Sequence, residues 1–225
     1  MRLISVIYTS FSLFVISFIC CSESKNQTLP MSHSKVLFSK NDKPNKEIDT
    51  ATFGGGCFWC TEAIFKQLKG VSDVKSGYCG GHVQSPTYEQ VCSKTTGHAE
   101  VIQIVFNPSI ISFDELLEIF WQTHDPTTLN RQGNDVGPQY RSVVFYHNDE
   151  QKQKAAHYKE ELNKNKVFDN PVVTTIEQYK NYFEAENYHQ DYYKNNKESN
   201  PYCYYVIKPK LEKFQKIFPE KINKQ

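Results

Sequence analysis

The feature that most constrains the fold is a short β-prone run that passes through three glycines directly into a helical pattern. Residues 50–54 favour a strand, and the glycines at 54–56 lead into "CFWCTEAIFKQL", a pattern typical of a helix from Cys57 to Leu68. Gly70 stands where a helix is expected to stop. Because glycine permits a sharp turn, the sequence predicts that Cys57 lies at a helix N-terminus, directly after a strand.

Strands and helices alternate along the rest of the chain without regular βαβ spacing. A capping box at Ser112–Glu115 opens a helix whose apolar side chains repeat at helical spacing. We predict one α+β domain at residues 50–218, a mixed α/β two-layer fold related to ferredoxin-like folds, followed by a tail at 219–225. The remaining predicted strands or extended segments are 71–81, 100–106, 141–147, 172–176 and 203–207, and the remaining helices are 148–166, 183–195 and 209–218.

The N-terminal segment differs in composition from this domain. Residues 3–19 are mostly apolar and uncharged and are followed by Cys20 and Cys21. Such a stretch is short for a membrane span and typical of a secretory signal, and the cysteine after it resembles a bacterial lipoprotein signal. We predict a signal or lipoprotein-like segment at 1–21, a polar linker at 22–49, and an exported or envelope-associated protein. The alternatives are an uncleaved membrane anchor and, without a working signal, a cytoplasmic protein.

The charge balance argues against a nucleic-acid partner. Lys and Arg together number 26 and Asp and Glu number 25, so the chain carries no broad basic field. The 15 Phe and 14 Tyr residues are enough to build a core and to line a pocket. We expect a monomer that contacts a membrane only through its N-terminal segment.

A cysteine at a helix N-terminus suits nucleophilic chemistry. The thiolate is the reactive form, and the backbone N–H groups at a helix start predict a lowered pKa for Cys57. Phe58 and Trp59 cannot both be covered by the apolar face of the helix, so we expect at least one to line a cleft with the sulfur. The stretch therefore predicts an activated thiolate beside an apolar wall.

Three other interpretations apply to the pair formed by Cys57 and Cys60. In the first, the pair is a structural disulfide or two packed small side chains. In the second it is half of a metal site, and in the third it is a dithiol that exchanges with a partner disulfide. The sequence contains no second CxxC and no paired-histidine motif, so we predict no metal site, and Phe-Trp between the cysteines would obstruct a partner disulfide. The side chains that would complete a metal site are Cys79, Cys92, His82 and His98.

Five stretches of the chain, in order and spanning about residues 50–218, resemble the peptide methionine sulfoxide reductase A family. They are "GGGCFWCTEAIF" at 54–65, "SGYCGGH" at 76–82, "PTYEQVCSKTTGHAEVIQIVFNP" at 86–108, "FWQTHDPTTLNRQGNDVGPQYRSVVFY" at 120–146 and "PYCYYVIKPKLEKF" at 201–214. The resemblance implies reduction of methionine-S-sulfoxide to methionine, in oxidised proteins and as the free amino acid. It also implies that no bound cofactor is needed and that thioredoxin is the external dithiol reductant.

The resemblance further implies a role for each matched residue. Cys57 attacks the sulfoxide sulfur and becomes a sulfenic acid, while Phe58 and Trp59 take the methyl group. Glu100 donates a proton, and its apolar strand neighbours predict a raised pKa; the alternative is a charge on an edge strand facing water. The phenols that hydrogen-bond the sulfoxide oxygen are Tyr88 and Tyr140, and the other pocket residues are Asp135, Tyr192 and Tyr202.

A second thiol must condense with the sulfenic acid, and the sequence offers two candidates. Cys203 matches the family's mobile carboxy-terminal resolving cysteine, and we expect it to act. Cys60 lies three residues after Cys57, within disulfide reach on a helix start, and is the backup or relay.

The remaining cysteines and histidines near these motifs are predicted to have no catalytic role. Cys79 and Cys92 are interpreted as bystanders, and His82, His98 and His124 as structural. A rival hypothesis is a surface protein that only binds oxidised methionine-rich segments. Such a protein would lack the nucleophile or the proton donor, whereas both Cys57 and Glu100 are present.

Overall fold

A six-stranded mixed sheet forms the centre of the structure. The computed structural model describes residues 47–223, so the predicted segment at 1–21, linker residues 22–46 and the last two residues lie outside the described part. The strands and α-helices are, in chain order, β1 (Asp49–Gly55), α1 (Phe58–Phe65), β2 (Val71–Cys79), α2 (Tyr88–Cys92), β3 (Ala99–Phe106), α3 (Phe113–Thr123), β4 (Arg131–Gln132), β5 (Asp135–Val136), β6 (Ser142–Tyr146), α4 (Asp149–Lys164), β7 (Thr175–Gln178), β8 (Phe183–Glu184), α5 (Tyr192–Asn196) and α6 (Lys208–Ile217).

The strand order of the sheet is β7-β6-β1-β3-β2-β8, and β4 and β5 form a separate hairpin. All pairs in the large sheet are antiparallel except β6 and β7. In the central pair, Phe53 of β1 lies opposite Ile102 of β3. The C-terminal end of β1 therefore lies beside the N-terminal end of β3, which brings the start of α1 close to Glu100.

Helices cover one face of this sheet. The main core cluster joins alternate strand side chains, such as Phe53 and Ile102, to side chains of α1, α3, α4 and α6. Phe53 stacks on Phe120 of α3 at 4.9 Å between ring centroids. A smaller cluster on the opposite face is covered by Tyr179 and Tyr182 from the connection between β7 and β8. The predicted two-layer α+β class is confirmed.

Local signals located several elements correctly. Helix α3 begins with the predicted capping box, in which the Glu115 N–H donates to Ser112 Oγ at 3.2 Å and the Ser112 N–H donates to Glu115 Oε2 at 2.8 Å. Strands β1, β2, β3 and β6 and helix α4 agree with the sequence prediction within a few residues at each end. No helix among residues 47–223 is long and apolar enough to cross a membrane.

The predicted helix at 183–195 is wrong. Its first residues form β8, where Phe183 pairs with Tyr78, and a 3-10 turn follows at Asn187–His189. The left-handed conformation of Asp191, with φ of 53°, then separates this turn from the short helix α5. Pairing with the sheet edge has overridden the local helical pattern.

The predicted extended segment at 203–207 is also wrong. Cys203–Ile207 forms a π-helical turn that runs directly into α6, with the Lys208 N–H donating to the Cys203 carbonyl. Tyr, Val and Ile favour strands, but Cys203 and Ile207 pack into the core here, and packing outweighs that preference. The predicted strand at 172–176 begins later, at Thr175, because the Val173 N–H donates instead to the Pro126 carbonyl.

Candidate active site

The turn between β1 and α1 places Cys57 at the end of the sheet. Gly56 has φ of +90°, and a Cβ atom there would lie 2.5 Å from the Gln132 side chain, so the turn requires glycine. Cys57 is the residue before the first helical turn of α1, and its side chain is 7% exposed. The helix ends at Phe65 rather than Leu68.

The two thiols of the CxxC motif interact, and each shifts the pKa of the other. Burial, followed by the interaction with Cys60, raises the pKa of Cys57 well above its ordinary value. The interaction with Cys57 lowers the pKa of Cys60 to about 7, against the effect of burial. The predicted low pKa of Cys57 is therefore wrong for the resting protein, since the loss of solvent outweighs the helix N-terminus. Of the two thiols, Cys60 is therefore the more easily ionised.

Polar groups from three other segments surround Cys60. Its sulfur lies 3.9 Å from the Tyr202 hydroxyl and 3.6 Å from Nζ of Lys210. The Tyr202 hydroxyl also donates to Asp135 Oδ2 at 2.9 Å. These contacts bring Tyr202 and Asp135, both predicted pocket residues, to the sulfur of the second cysteine.

Glu100 is buried at the start of the central strand β3. Its side chain is 1% exposed, and Oε2 accepts the Phe58 N–H at 3.1 Å. Burial raises the pKa of Glu100 to about 8, although the hydrogen bond from Phe58 opposes the shift. The alternative of an edge-strand charge facing water is excluded, and the predicted raised pKa is confirmed. The carboxyl is mainly protonated at neutral pH.

The two aromatic residues between the cysteines have different environments. Phe58 is fully buried, whereas Trp59 is half-buried. The Trp59 indole stacks on Tyr192 at 3.6 Å between centroids and 7° between ring planes, and it meets the ring of Tyr202 edge-on. Of the two expected wall residues, Trp59 is thus the one that is partly open to solvent.

Tyr88 and Tyr140 come to the site from two short turns. Tyr88 is the first residue of α2, and Tyr140 ends a 3-10 turn at Pro138–Tyr140. Burial raises the pKa of both phenols, and the Glu100 charge contributes to both shifts. Both therefore keep their hydroxyl protons and can donate hydrogen bonds near Glu100.

Three residues that support the site were not identified from the sequence. Trp59 Nε1 donates to Nδ1 of His189 at 3.0 Å, which fixes the indole plane. Glu186 accepts the Tyr88 N–H at 2.9 Å, and the carboxylate of Glu62 accepts the N–H of Tyr192 at 3.2 Å. The "NYHQDYY" stretch that contains His189 could have indicated a functional histidine. In contrast, no local sequence pattern identifies a buried carboxylate that accepts hydrogen bonds from backbone groups far away in the chain.

Cys203 lies in the π-helical turn and is fully buried. Burial raises its pKa, and the charge of Cys60 adds to the shift, so the two thiols lie near each other. All five cysteines in the described part of the chain are free. The segment expected to be a mobile tail is therefore held in a helical conformation in the reduced protein.

The predicted bystanders fall into two groups. Cys79 belongs to the small cluster on the opposite face and donates to the Lys180 carbonyl. Cys92, in contrast, interacts with Tyr88 and with the Glu100 charge, so it lies beside the site.

Two of the predicted structural histidines are fully integrated in the fold. His98 Nδ1 accepts the Gly81 N–H at 3.1 Å, and His124 contacts the Phe120 carbonyl at 2.6 Å and the Ser142 hydroxyl at 2.7 Å. Burial lowers the pKa of His124 to about 4, so it is neutral at physiological pH. His82 is exposed. Within residues 47–223, no three His, Cys, Asp or Glu side chains are arranged to hold a metal ion.

Comparison with known proteins agrees with this arrangement. The family model for peptide methionine sulfoxide reductase matches residues 49–222. The peptide methionine sulfoxide reductase MsrA of Saccharolobus solfataricus is 57% identical over 176 residues, which cover 78% of this chain and 98% of that protein. The MsrA of Leptospira borgpetersenii is 51% identical over 169 residues, covering 75% and 94%.

Two solved structures share the fold. Reduced Mxr1 from Saccharomyces cerevisiae has a TM-score of 0.63 at 37% identity, covering 68% of this chain and 88% of that one. Methionine sulfoxide reductase A of Corynebacterium diphtheriae has a TM-score of 0.60 at 30% identity, covering 69% and 77%. The chain belongs to the peptide methionine sulfoxide reductase A family, whose members are peptide-methionine (S)-S-oxide reductases.

Proposed function

We propose that Cys57 reduces methionine-S-sulfoxide by attack at sulfur while Glu100 protonates the sulfoxide oxygen. One contact carries this proposal: the N–H of Phe58, the residue after the nucleophile, donates to the Glu100 carboxyl at 3.1 Å. A neutral acid is thereby held next to the cysteine. An acid with a pKa of about 8 both keeps its proton at neutral pH and releases it readily.

The first step begins with a proton shift inside the CxxC pair. The Cys57 thiol passes its proton to the Cys60 thiolate, and the resulting Cys57 thiolate attacks the sulfoxide sulfur. The sulfoxide S–O bond breaks, the oxygen becomes bonded to Cys57 and takes the proton of Glu100, and methionine is released. Cys57 is oxidised by two electrons to a sulfenic acid, and the methionine sulfur is reduced by two.

The substrate pocket lies between the nucleophile and the aromatic residues. The half-buried Trp59 indole, held by its stack on Tyr192, offers an apolar surface for the methyl group. The phenols of Tyr88 and Tyr140 remain protonated and supply hydrogen bonds to the oxygen as its negative charge develops.

For the second step we favour Cys60 over the Cys203 expected from the sequence. The thiols of Cys57 and Cys60 interact strongly enough to shift each other's pKa, and Cys60 has the lower pKa of the two. Cys203 would have to leave a fully buried position in a helical turn before it could attack. The resulting disulfide is reduced by an external dithiol protein of the thioredoxin type, and oxidised methionine residues in proteins are the substrates. The enzyme is expected to act as a monomer.

Cys57→Ser is expected to abolish reduction of a methionine-S-sulfoxide peptide in the presence of a dithiol, because serine cannot accept the oxygen as a sulfenic acid. Methionine release is the measurement, with thermal unfolding to confirm an intact fold. Cys79→Ser, on the opposite face of the sheet, is the matched control and should retain activity. Turnover above a few per cent of wild type in Cys57→Ser would refute the nucleophile assignment.

Glu100→Gln is expected to slow methionine formation in a single turnover by roughly 10²-fold, the usual scale for a positioned acid. The wild-type rate should fall as pH rises through about 8, where Glu100 loses its proton. This decline should be absent from the variant, which has no proton to lose at that position. Quenched single-turnover rates across pH 6 to 10 measure both effects. Identical pH profiles in the two proteins would remove Glu100 as the acid.

One equivalent of substrate without reductant is expected to produce a Cys57–Cys60 disulfide, because the two cysteines lie three residues apart at the start of α1. Peptide mapping by mass spectrometry identifies the bond. The bond should persist in Cys203→Ser. Cys60→Ser lacks the thiolate that accepts the Cys57 proton, so it should release methionine more slowly and accumulate sulfenic acid, detectable by trapping with dimedone. A Cys57–Cys203 bond in the wild type would return the resolving role to Cys203.

We further propose that residues 1–21 direct export or envelope attachment. The proposal is supported by their apolar, uncharged composition and by the cysteines that follow. Full-length protein is expected in the envelope or exported fraction, and a variant lacking residues 2–21 in the cytoplasm. Recovery of full-length protein with its intact N-terminus in the cytoplasmic fraction would contradict the proposal.

A further inference from the structure

Lys210 lies beside the second cysteine of the CxxC motif. Lys210 is the third residue of α6, and its side chain is half-buried. Its Nζ is 3.6 Å from the Cys60 sulfur. At this distance an ammonium group donates a charge-assisted hydrogen bond to sulfur. The contact joins residues 150 positions apart in the chain, so it depends on the tertiary fold.

The π-helical turn explains how Lys210 reaches this position. Pro209 has no N–H to donate, so a regular α-helix could not run through this point with all its hydrogen bonds. The wider turn at Cys203–Ile207 precedes the proline and leads into α6. π-helical turns often occur at functional sites, where they redirect side chains. Here the next residue after the proline is the one that contacts Cys60.

The groups that act on Cys60 come from every element packed around it. Cys57 lies at the start of the same helix, Tyr202 and Lys210 come from the C-terminal segment, and Asp135 comes from the β4–β5 hairpin. Glu100 from β3 and Cys203 from the π-helical turn also interact with Cys60. Of these described groups, Lys210 is the cation. The others are neutral donors, thiols or carboxyl groups that disfavour a second negative charge nearby.

We infer that Lys210 is a positioning residue that favours the thiolate form of Cys60 and thereby accelerates formation of the resolving disulfide with Cys57. This inference rests on the proposed resolving role of Cys60. Lys210 contacts neither the sulfoxide nor Cys57 in this role. Because the Cys60 thiolate also accepts the Cys57 proton in the first step, the effect of Lys210 on the second step is measured as the rate of disulfide formation relative to methionine release.

The step balances without any further reactant. Cys60 holds the proton received from Cys57 in the first step, and Lys210 favours its ionisation. The Cys60 thiolate attacks the Cys57 sulfur, an S–S bond forms and the S–O bond of the sulfenic acid breaks. The departing hydroxide takes up one proton, equal to the one that Cys60 released, and leaves as water. Cys60 is oxidised and the Cys57 sulfur is reduced from the sulfenic acid to the disulfide level.

Lys210→Met removes the charge while keeping an unbranched side chain, and Lys210→Arg keeps the charge. Without the cation, the pKa of Cys60 should rise from about 7 towards its ordinary value near 8.5, so fewer molecules carry the thiolate at neutral pH. The remaining thiolate is more nucleophilic, which offsets part of the loss, and we expect disulfide formation to slow by roughly 3- to 10-fold at pH 7. Lys213→Met, an exposed residue on the same helix, is the matched control.

The experiment follows a single turnover of a methionine-S-sulfoxide peptide without reductant, from pH 6 to 9. Methionine release reports the first step, and quenched alkylation with mass spectrometry reports the disulfide. For Lys210→Met we expect slower disulfide formation, with its half-maximal rate shifted to higher pH. Lys210→Arg and Lys213→Met should resemble wild type.

An unchanged rate and pH midpoint for disulfide formation in Lys210→Met would overturn the inference. Equal slowing in Lys210→Met and Lys210→Arg with no shift in the pH midpoint would also overturn it, because that pattern indicates a packing role. The underlying proposal fails in a different way. Absence of methionine release in the wild type would refute the proposed reaction, and a Cys57–Cys203 bond would refute Cys60 as the resolving residue.

Discussion

The hydrogen bond from the Phe58 N–H to Glu100 joins the central strand of the sheet to the first turn of α1, and the geometry of the site depends on it. The antiparallel register of β1 and β3 brings these two groups together. The same bond occupies one of the backbone N–H groups that a helix start leaves without an intrahelical partner. A carboxyl thus caps the helix from a distant strand and at the same time lies beside Cys57.

This arrangement makes the protein less stable as pH rises from about 4 to about 8. The pKa of Glu100 rises from an ordinary value near 4.3 to about 8 on folding, so the folded state binds the proton more tightly than the unfolded chain does. The free energy of unfolding therefore decreases as pH rises between these two values, by at most about 1.4 kcal/mol per pH unit from this group. The ionised carboxylate of Glu100 is poorly solvated in the core. The extensive aromatic packing around Phe53 and Phe58 stabilises the fold and so offsets part of this cost.

Local sequence patterns predicted the parts of the structure that local forces determine. The capping box at Ser112, the strand before Gly56 and the burial of Glu100 among apolar neighbours all follow from short-range chemistry or simple alternation. The helical conformation of Cys203–Ile207 does not follow from the local sequence, because its β-favouring residues are held by packing against the core. The pKa of Cys57 was predicted wrongly because helix position can be read from sequence, whereas the extent of burial and the interaction with Cys60 cannot.

The residues that support the site also could not be predicted from local sequence patterns. Glu62 and His189 hold Tyr192 and Trp59 across about 130 positions of chain, as the contacts between residues 62 and 192 and between 59 and 189 show. Family resemblance could transfer the pocket residues, but only the folded structure shows which groups hold them. The positions of the aromatic side chains are therefore a property of the tertiary structure and not of the CxxC motif alone.

The stack of Trp59 on Tyr192 gives the protein a spectroscopic label of its own. The chain has only two tryptophans, and the other, Trp121, is 2% exposed among core side chains of α3. The Trp59 indole is half-buried, is hydrogen-bonded to His189, and lies between the two cysteines in sequence. A bond between Cys57 and Cys60 would distort the helical turn that carries this indole. We therefore expect formation of that bond to change the Trp59 fluorescence of the unlabelled protein, while the buried Trp121 contributes a background.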